Sequence, residues 1–167
     1  PEQGRRLRRE RLGENRPVWI AASTHAGEDE QVLEAFATLR AHWPELLLLL
    51  VPRHPERFDS VAALCQQRGL SVIRRSEQRP CASDTAVFLG DSMGELLLFY
   101  AAADLVFVGG SLVPTGGHNV LEPALLGLPV LFGMTPSPAA TYFPSGENVK
   151  VVRDIVRGPI WCSSRDL

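Results

Sequence analysis

Lysine is almost missing: Lys150 stands alone among 17 Lys and Arg residues. Cysteine is scarce, and Cys65, Cys81 and Cys162 form an odd set without a Cys-x-x-C pair. That argues against a disulfide framework or a structural zinc site and fits a reducing compartment. The longest apolar run, Leu96 to Ala103, is closed off by Glu95 and Asp104. It falls far below the ~18–20 residues that a membrane-crossing helix needs. The net charge is only −2, so no global field draws the chain to nucleic acid. Neither Gly-x-Gly-x-x-Gly nor Gly-Lys-Ser/Thr occurs, which removes the dinucleotide oxidoreductase and P-loop readings.

What remains is 167 residues, 45% hydrophobic and 22% charged, the profile of one soluble globular domain with a full core. The chain opens Pro1-Glu2-Gln3-Gly4 with neither a methionine nor a signal peptide, and reads as a piece of a longer protein. Arg5, Arg6, Arg8, Arg9, Arg11 and Arg16 crowd residues 1–16. Two readings fit this basic segment: a solvated helix or linker with Glu10 and Glu14 as counter-charge, or a collar near anionic lipid headgroups.

Short apolar strands alternate with helical patterns. Strands are predicted at 18–22, 46–51, 70–74, 86–89, 105–108 and 129–132, and helices at 28–42, 55–68, 93–103 and 119–126. Leu46 to Val51 has no polar face, so both of its sides must be covered, as in a parallel sheet. The series predicts an α/β doubly wound, Rossmann-like parallel sheet, which binds ligands beyond the carboxyl ends of its strands. Residues 76–85 read as loop, and from Met134 the pattern decays.

Four loops at those carboxyl ends could carry chemistry. Ser23-Thr24-His25-Ala26-Gly27-Glu28 precedes a helix. It is either an anion site or an ordinary cap using Ser23 or Thr24, with Glu28, Asp29 and Glu30 answering the helix dipole. Glu28-x-Glu30 also has the look of a metal-binding carboxylate pair, although a first helical turn explains it. Arg53, in Pro52-Arg53-His54-Pro55, offers a rigid donor fork for phosphate or carboxylate, or shields the sheet end. Gly90-Asp91-Ser92-Met93-Gly94-Glu95 places a glycine just inside a predicted helix, which suggests close approach of a flat ligand or a capping turn. The longest loop has Gly109-Gly110 and Gly116-Gly117 flanking a short turn, followed by His118-Asn119-Val120-Leu121-Glu122-Pro123. Asn119 and Glu122 stand in capping-box spacing, or Glu122 accepts hydrogen bonds from ribose hydroxyls while the helix start faces a phosphate.

Gly109 to Ala124, together with Ser23-Thr24-His25-x-Gly27-Glu28, Val51-Pro52-Arg53-His54-Pro55 and Gly90 to Glu95, closely resembles the 3-deoxy-D-manno-octulosonic acid (Kdo) transferase family. The resemblance runs over residues 17–133, with four motifs in the family's order. It implies the C-terminal, nucleotide-sugar-binding half of a two-domain GT-B glycosyltransferase. Such enzymes move Kdo from CMP-Kdo to a lipid A precursor with inversion, in lipopolysaccharide core biosynthesis at the cytoplasmic face of the inner membrane. By motif, the resemblance assigns Pro52 and Arg53 to the CMP moiety, and Met93, Gly94 and Glu95 to the cytidine side. Asn119, Val120, Leu121 and Glu122 are assigned to ribose and phosphate. Ser23, His25, Gly27, Gly116, Gly117 and His118 are weaker candidates near the phosphate or the sugar.

The resemblance further implies no cofactor and no metal, which fits the absence of Asp-x-Asp. Its catalytic base is a Glu of an N-terminal domain, and its membrane anchor also belongs to that part, so no catalytic residue is assigned here. The chain alone is then expected to be soluble, to bind CMP weakly and to transfer nothing. Partners are the donor, the lipid A precursor and the N-terminal domain, with a membrane surface for the whole enzyme and no nucleic acid. Residues 134–167 depart from the family's pattern and read as an altered reading frame or an atypical end. A UDP-sugar epimerase-like half-domain and a non-catalytic interaction module are the competing readings.

Overall fold

The computed structural model describes residues 2–115 and 117–131. Gly116 and the atypical 134–167 segment lie outside the described residues. The strands are β1 (Val18–Thr24), β2 (Leu47–Pro52), β3 (Val72–Arg74), β4 (Val87–Leu89), β5 (Leu105–Val108) and β6 (Val130–Leu131). They form one parallel sheet in the order β3-β4-β2-β1-β5-β6. This is the doubly wound, Rossmann-like architecture that the alternation predicts.

Helix α2 (Glu28–Arg40) and helix α3 (Phe58–Gln67) cover one face. There Trp19, Ala21, Leu48 and Leu50 from the central strands pack with Leu33, Phe36 and Val61. The alternate residues Val18, Ile20, Leu47 and Leu49 turn to the other face, against Phe99 and Tyr100 of α4 (Leu96–Tyr100). Leu47 to Leu50 are fully buried, because successive side chains of a strand enter opposite layers and both layers are apolar. Each such leucine contributes about 1.5–3 kcal/mol relative to exposure.

Of the helix and the linker that the solvated reading allows, the first residues take the helix, and Arg6 pairs with Glu10 at 2.8 Å as counter-charge. Helix α1 (Glu2–Leu7) runs into a π-helical turn over Arg8–Leu12 that buries Leu7 and Leu12. Gly4 packs so tightly on Ala101 that a Cβ there would lie 2.4 Å from the alanine's own Cβ. Arg8 then clamps Asp104 with two hydrogen bonds of 2.7 Å, and Asp104 also accepts the Val18 N–H. Arg16 donates to the carbonyls of Glu45, Ala82 and Thr85. The amino ends of β1, β2, β4 and β5 are thereby tied together by two arginines.

Two predicted helices begin late. The 93–103 helix is confined to α4 because Gly94 takes a left-handed φ of +78° ahead of it. Gly94 thus lies outside the helix, where the turn itself asks for glycine. The 119–126 helix contracts to α5 (Leu121–Leu125). The stretch read as pure loop contains a 3-10 turn at Arg75–Glu77.

Topology fixes where a crevice must form. From β1 the chain goes to β2, out to the edge strand β3 and back to β4 between them, then crosses to β5 and β6 on the other side. The loops after β1 and β5 consequently part at the switch point, where doubly wound sheets bind ligands.

Candidate functional site

At the carboxyl end of β1 the ladder slips by one residue between Ala22 and Thr24. Ser23 adopts φ +56°, which is rare for a residue with a side chain. The strand from the other side of the switch comes very close: a Cβ on Gly109 would lie 2.4 Å from the Ser23 carbonyl oxygen. Only glycine fits there, which explains the first residue of the Gly109-Gly110 pair.

The following turn is held by a residue the sequence reading took for a dipole complement. Glu28 is fully buried. Its carboxylate accepts the N–H groups of His25 (2.9 Å), Gly110 (2.8 Å), Ser111 (3.0 Å) and Leu112 (2.9 Å). It fastens the loop after β1 to the loop after β5, and both oxygens are engaged. Glu30 is exposed, so the two acids do not share the setting a metal pair needs. The α2 N-cap is Gly27, with φ +88° and no side-chain cap. Thr24, a proposed cap, instead donates its hydroxyl to the buried Asp29 at 2.6 Å, and Ser23 makes no cap either. Burial raises the Asp29 carboxyl above its ordinary value, against the opposing hydrogen bonds from Thr24 and Arg57. Arg57 also donates to the Thr24 carbonyl at 2.9 Å.

Three histidines meet over this junction. His25 Nε2 and His118 Nε2 are 2.7 Å apart, with the two ring planes within 10° of parallel and the centroids 4.9 Å apart, so the rings meet edge to edge through these nitrogens. His54 meets His25 edge-on at 5.5 Å. Burial first, then His25 and Arg53, hold His118 below the ordinary histidine value, while Glu28 pulls the other way. Pro52 is buried and registers with Thr24, and the Arg53 N–H donates to the Thr24 carbonyl at 2.9 Å. The Arg53 side chain is exposed and has no hydrogen bond or ion pair among the described residues. Gly117, with φ +75°, donates its N–H to Gly110 O at 2.7 Å, closing the loop that presents His118.

The structure therefore brings Ser23, His25, Gly27, Pro52, Arg53, Gly117 and His118 to one place. The other predicted residues sit apart from that cluster. Met93 is exposed, and Glu95 is clamped by Arg75 through bonds of 3.0 and 2.8 Å and by the Ser92 hydroxyl. Burial pushes the Glu95 carboxyl up, but these donors outweigh it and leave the group below the usual carboxylate range. Glu95 is itself the α4 N-cap position, so neither Ser92 nor Asp91 caps that helix as predicted. Asp91 binds Ser76 instead.

Asn119 Oδ1 accepts the Leu121 N–H at 2.9 Å, but the reciprocal Glu122 half of the capping box is not formed. Glu122 and Leu121 are left partly or largely open to solvent, and Val120 packs at the edge of the second core layer. Burial, then the charge of Glu122, pushes the Tyr100 hydroxyl up to about 12. Among the described cysteines, burial raises Cys65 to about 12 and Cys81 to about 11, so neither is a thiolate near neutrality. No cluster of three or more metal-ligating side chains exists among the described residues.

What this arrangement can do chemically is hold an anion. An unpaired guanidinium, a histidine cluster and two glycine-opened loops converge at the switch point, and no helix among the described residues is long and apolar enough to cross a membrane.

Three comparisons with known proteins bear on this site. No protein-family model matches the chain. A 3-deoxy-D-manno-octulosonic acid transferase of Haemophilus influenzae is 56% identical over 120 residues, covering 72% of this chain and 28% of that protein. The Bordetella pertussis transferase of the same name is 46% identical over 125 residues, with 71% and 28% covered. The chain thus spans 28% of the length of both relatives. The crystal structure of the C-terminal CMP-Kdo binding domain of WaaA from Acinetobacter baumannii superposes with a TM-score of 0.73 at 48% identity. That match covers 77% of this chain and 67% of the crystallised one.

Proposed function

The chain belongs to the Kdo transferase family, and from that premise we propose that it binds the CMP moiety of CMP-Kdo. In this reading it is the donor-binding, C-terminal half of a GT-B glycosyltransferase that passes Kdo to a lipid A precursor with inversion at the anomeric centre. The observation that carries the reading is the exposed, unpaired Arg53 guanidinium beside the His25–His118 pair at the switch point.

The reaction releases a phosphate monoester, and its sugar centre passes through an oxocarbenium-like state. Stabilisation matters most where negative charge grows, on the departing phosphate. Arg53 offers a fixed positive fork there, and the histidines add donors. The positive charge for departure thereby comes from side chains, which supports a metal-independent transfer. Met93, Gly94 and Glu95 take the cytidine side, with Glu95 held in place by Arg75 as an acceptor of stable charge. Asn119 to Glu122 contact ribose and phosphate, and Glu122 is available because its capping bond is not made. Ser23, Gly27 and Gly117 shape the backbone around the phosphate. The catalytic base and the acceptor site belong to an N-terminal domain, so the chain alone transfers nothing.

Titration of CMP, UMP and AMP into isotope-labelled chain, followed by amide shifts, tests this. Shifts gathered at Arg53, 93–95 and 117–122 with CMP preferred are the expected outcome. A preference for UMP moves the reading to an epimerase-like half-domain, and a folded chain that answers no nucleotide overturns it.

A further inference from the structure

The histidine cluster supports an inference that rests on the donor-site reading and deepens it. His25 Nε2 and His118 Nε2 lie 2.7 Å apart. At that distance one nitrogen holds the hydrogen and the other presents a lone pair. Two protonated rings would aim N–H at N–H, so the pair is either neutral or carries a single positive charge. In the neutral pair the ring that donates through Nε2 has a bare Nδ1. A proton taken from solvent adds there, after which both outer nitrogens are donors and the unit bears one charge.

The groups facing the pair set when that happens. For the His118 ring, burial opposes the added charge most, Arg53 and His54 oppose it too, and Glu28 favours it. His54 touches His25 from the end of β2, Glu28 stands at the start of α2, and Arg53 follows Pro52. The Glu28 carboxylate is held in place there by four backbone N–H groups. An arriving phosphate cancels the field of Arg53 and adds attraction of its own.

We propose that His25 and His118 work as one proton-accepting unit, which takes up a single proton when the nucleotide phosphate docks beside Arg53. The empty site then avoids stacking extra positive charge, and the occupied site gains it. When the sugar–phosphate C–O bond breaks, its electron pair passes to the phosphate oxygen. The proton already on the imidazole pair faces that new charge and need not leave the histidines.

Imidazole nitrogen shifts of His25 and His118, followed in this chain between about pH 5 and 9 with CMP absent and saturating, test the idea. In the free chain the two rings should titrate together and take up one proton, not two. CMP should raise their shared midpoint by about one pH unit, so that protonated pair binds about tenfold tighter. His118→Ala should return His25 to an independent titration, and His118→Asn, which keeps a hydrogen-bonding partner, should abolish the shared step with the amide spectrum unchanged. Two independent one-proton titrations in the free chain overturn the inference. CMP that binds without moving the midpoint overturns this inference alone, whereas a folded chain that fails to bind CMP at every pH overturns the donor-site reading and the inference with it.

Discussion

At the amino ends of the strands, Arg8 and Arg16 are engaged by protein on every side, through Asp104 and the carbonyls of Glu45, Ala82, Ala102 and Thr85. At the carboxyl ends, Arg57 and Arg75 are similarly engaged with Asp29 and Glu95, yet Arg53 is not. The same residue type closes one end of the sheet and leaves the other open. Charge-assisted hydrogen bonds from arginine stabilise a fold when their acceptors lie within it, and bind a ligand when the acceptor arrives from outside. The difference between the ends teaches that arginine number says little about function, while an arginine without a partner matters by its place, which for Arg53 is the switch point of the sheet.

Substitutions can break that contrast, and their effects should fall in order. The largest belongs to Glu28→Ala, which orphans four backbone donors. Each buried donor left unmet costs about 1–3 kcal/mol, so a loss of at least ~4 kcal/mol with CMP binding abolished is expected from chemical denaturation and amide titration. Arg8→Ala comes next. It removes the clamp on Asp104 and should lower stability by about 2–3 kcal/mol while CMP affinity in the folded protein stays the same. A matching loss of affinity would show that the two ends are not separable.

Arg53→Ala is the mirror image. An exposed side chain without a partner should change stability by less than ~0.5 kcal/mol, yet losing a charge-assisted bond to phosphate should weaken CMP binding by about 10- to 100-fold. Smaller still is Glu122→Ala. With its capping bond unmade, stability should move by only a few tenths of a kcal/mol, less than the ~0.5–2 kcal/mol of a working cap, and calorimetry should register a several-fold weaker CMP.

The acid limb of stability sharpens the comparison last. The Glu95 carboxyl lies below its ordinary value of 4.5 in the folded chain. The native state therefore binds fewer protons there than the unfolded state does, and stability falls as pH drops below 4.5 through the folded value. Arg75→Ala should flatten that limb, read as urea midpoints collected across acid pH.

The sheet was legible because its signals are local. Leu105–Val108 is a strand in the sequence and in the structure with the same bounds, since four apolar residues between Asp104 and Gly109 allow no other element of that length. The long leucine run announced a strand covered on both faces for the same reason. The helices after Gly90 and Gly117 are shorter than their spacing predicts, and for the first the reason is that helical spacing does not show that Gly94 takes a left-handed turn. The role of Glu28 was hidden by a cheaper explanation. An acid in a first helical turn answers the dipole, and nothing nearby reveals that its donors come from residues 110–112. His25 and His118 were each weak candidates for the same reason, since 93 residues separate them and only the switch between β1 and β5 makes them neighbours. His54 drew no assignment at all, although Pro-Arg-His-Pro at a strand end was signal enough to suspect it.

The leucine strand has a consequence for how the chain reaches this structure. Strand β2 must wait for β1 on one side and for β4, about forty residues later, on the other. Parallel pairings of that separation form slowly, because the loop must close before contacts reward it. During that interval Leu46 to Val51, uncharged and free of proline, is the kind of segment that joins identical copies edge to edge. Glu45 precedes it and Pro52-Arg53 follow it, a charge on either flank and a residue with no N–H to donate to a neighbouring strand, which discourage such pairing. Arg53, placed for the folded chain at the switch point, thereby also flanks the nascent strand with a charge that discourages aggregation.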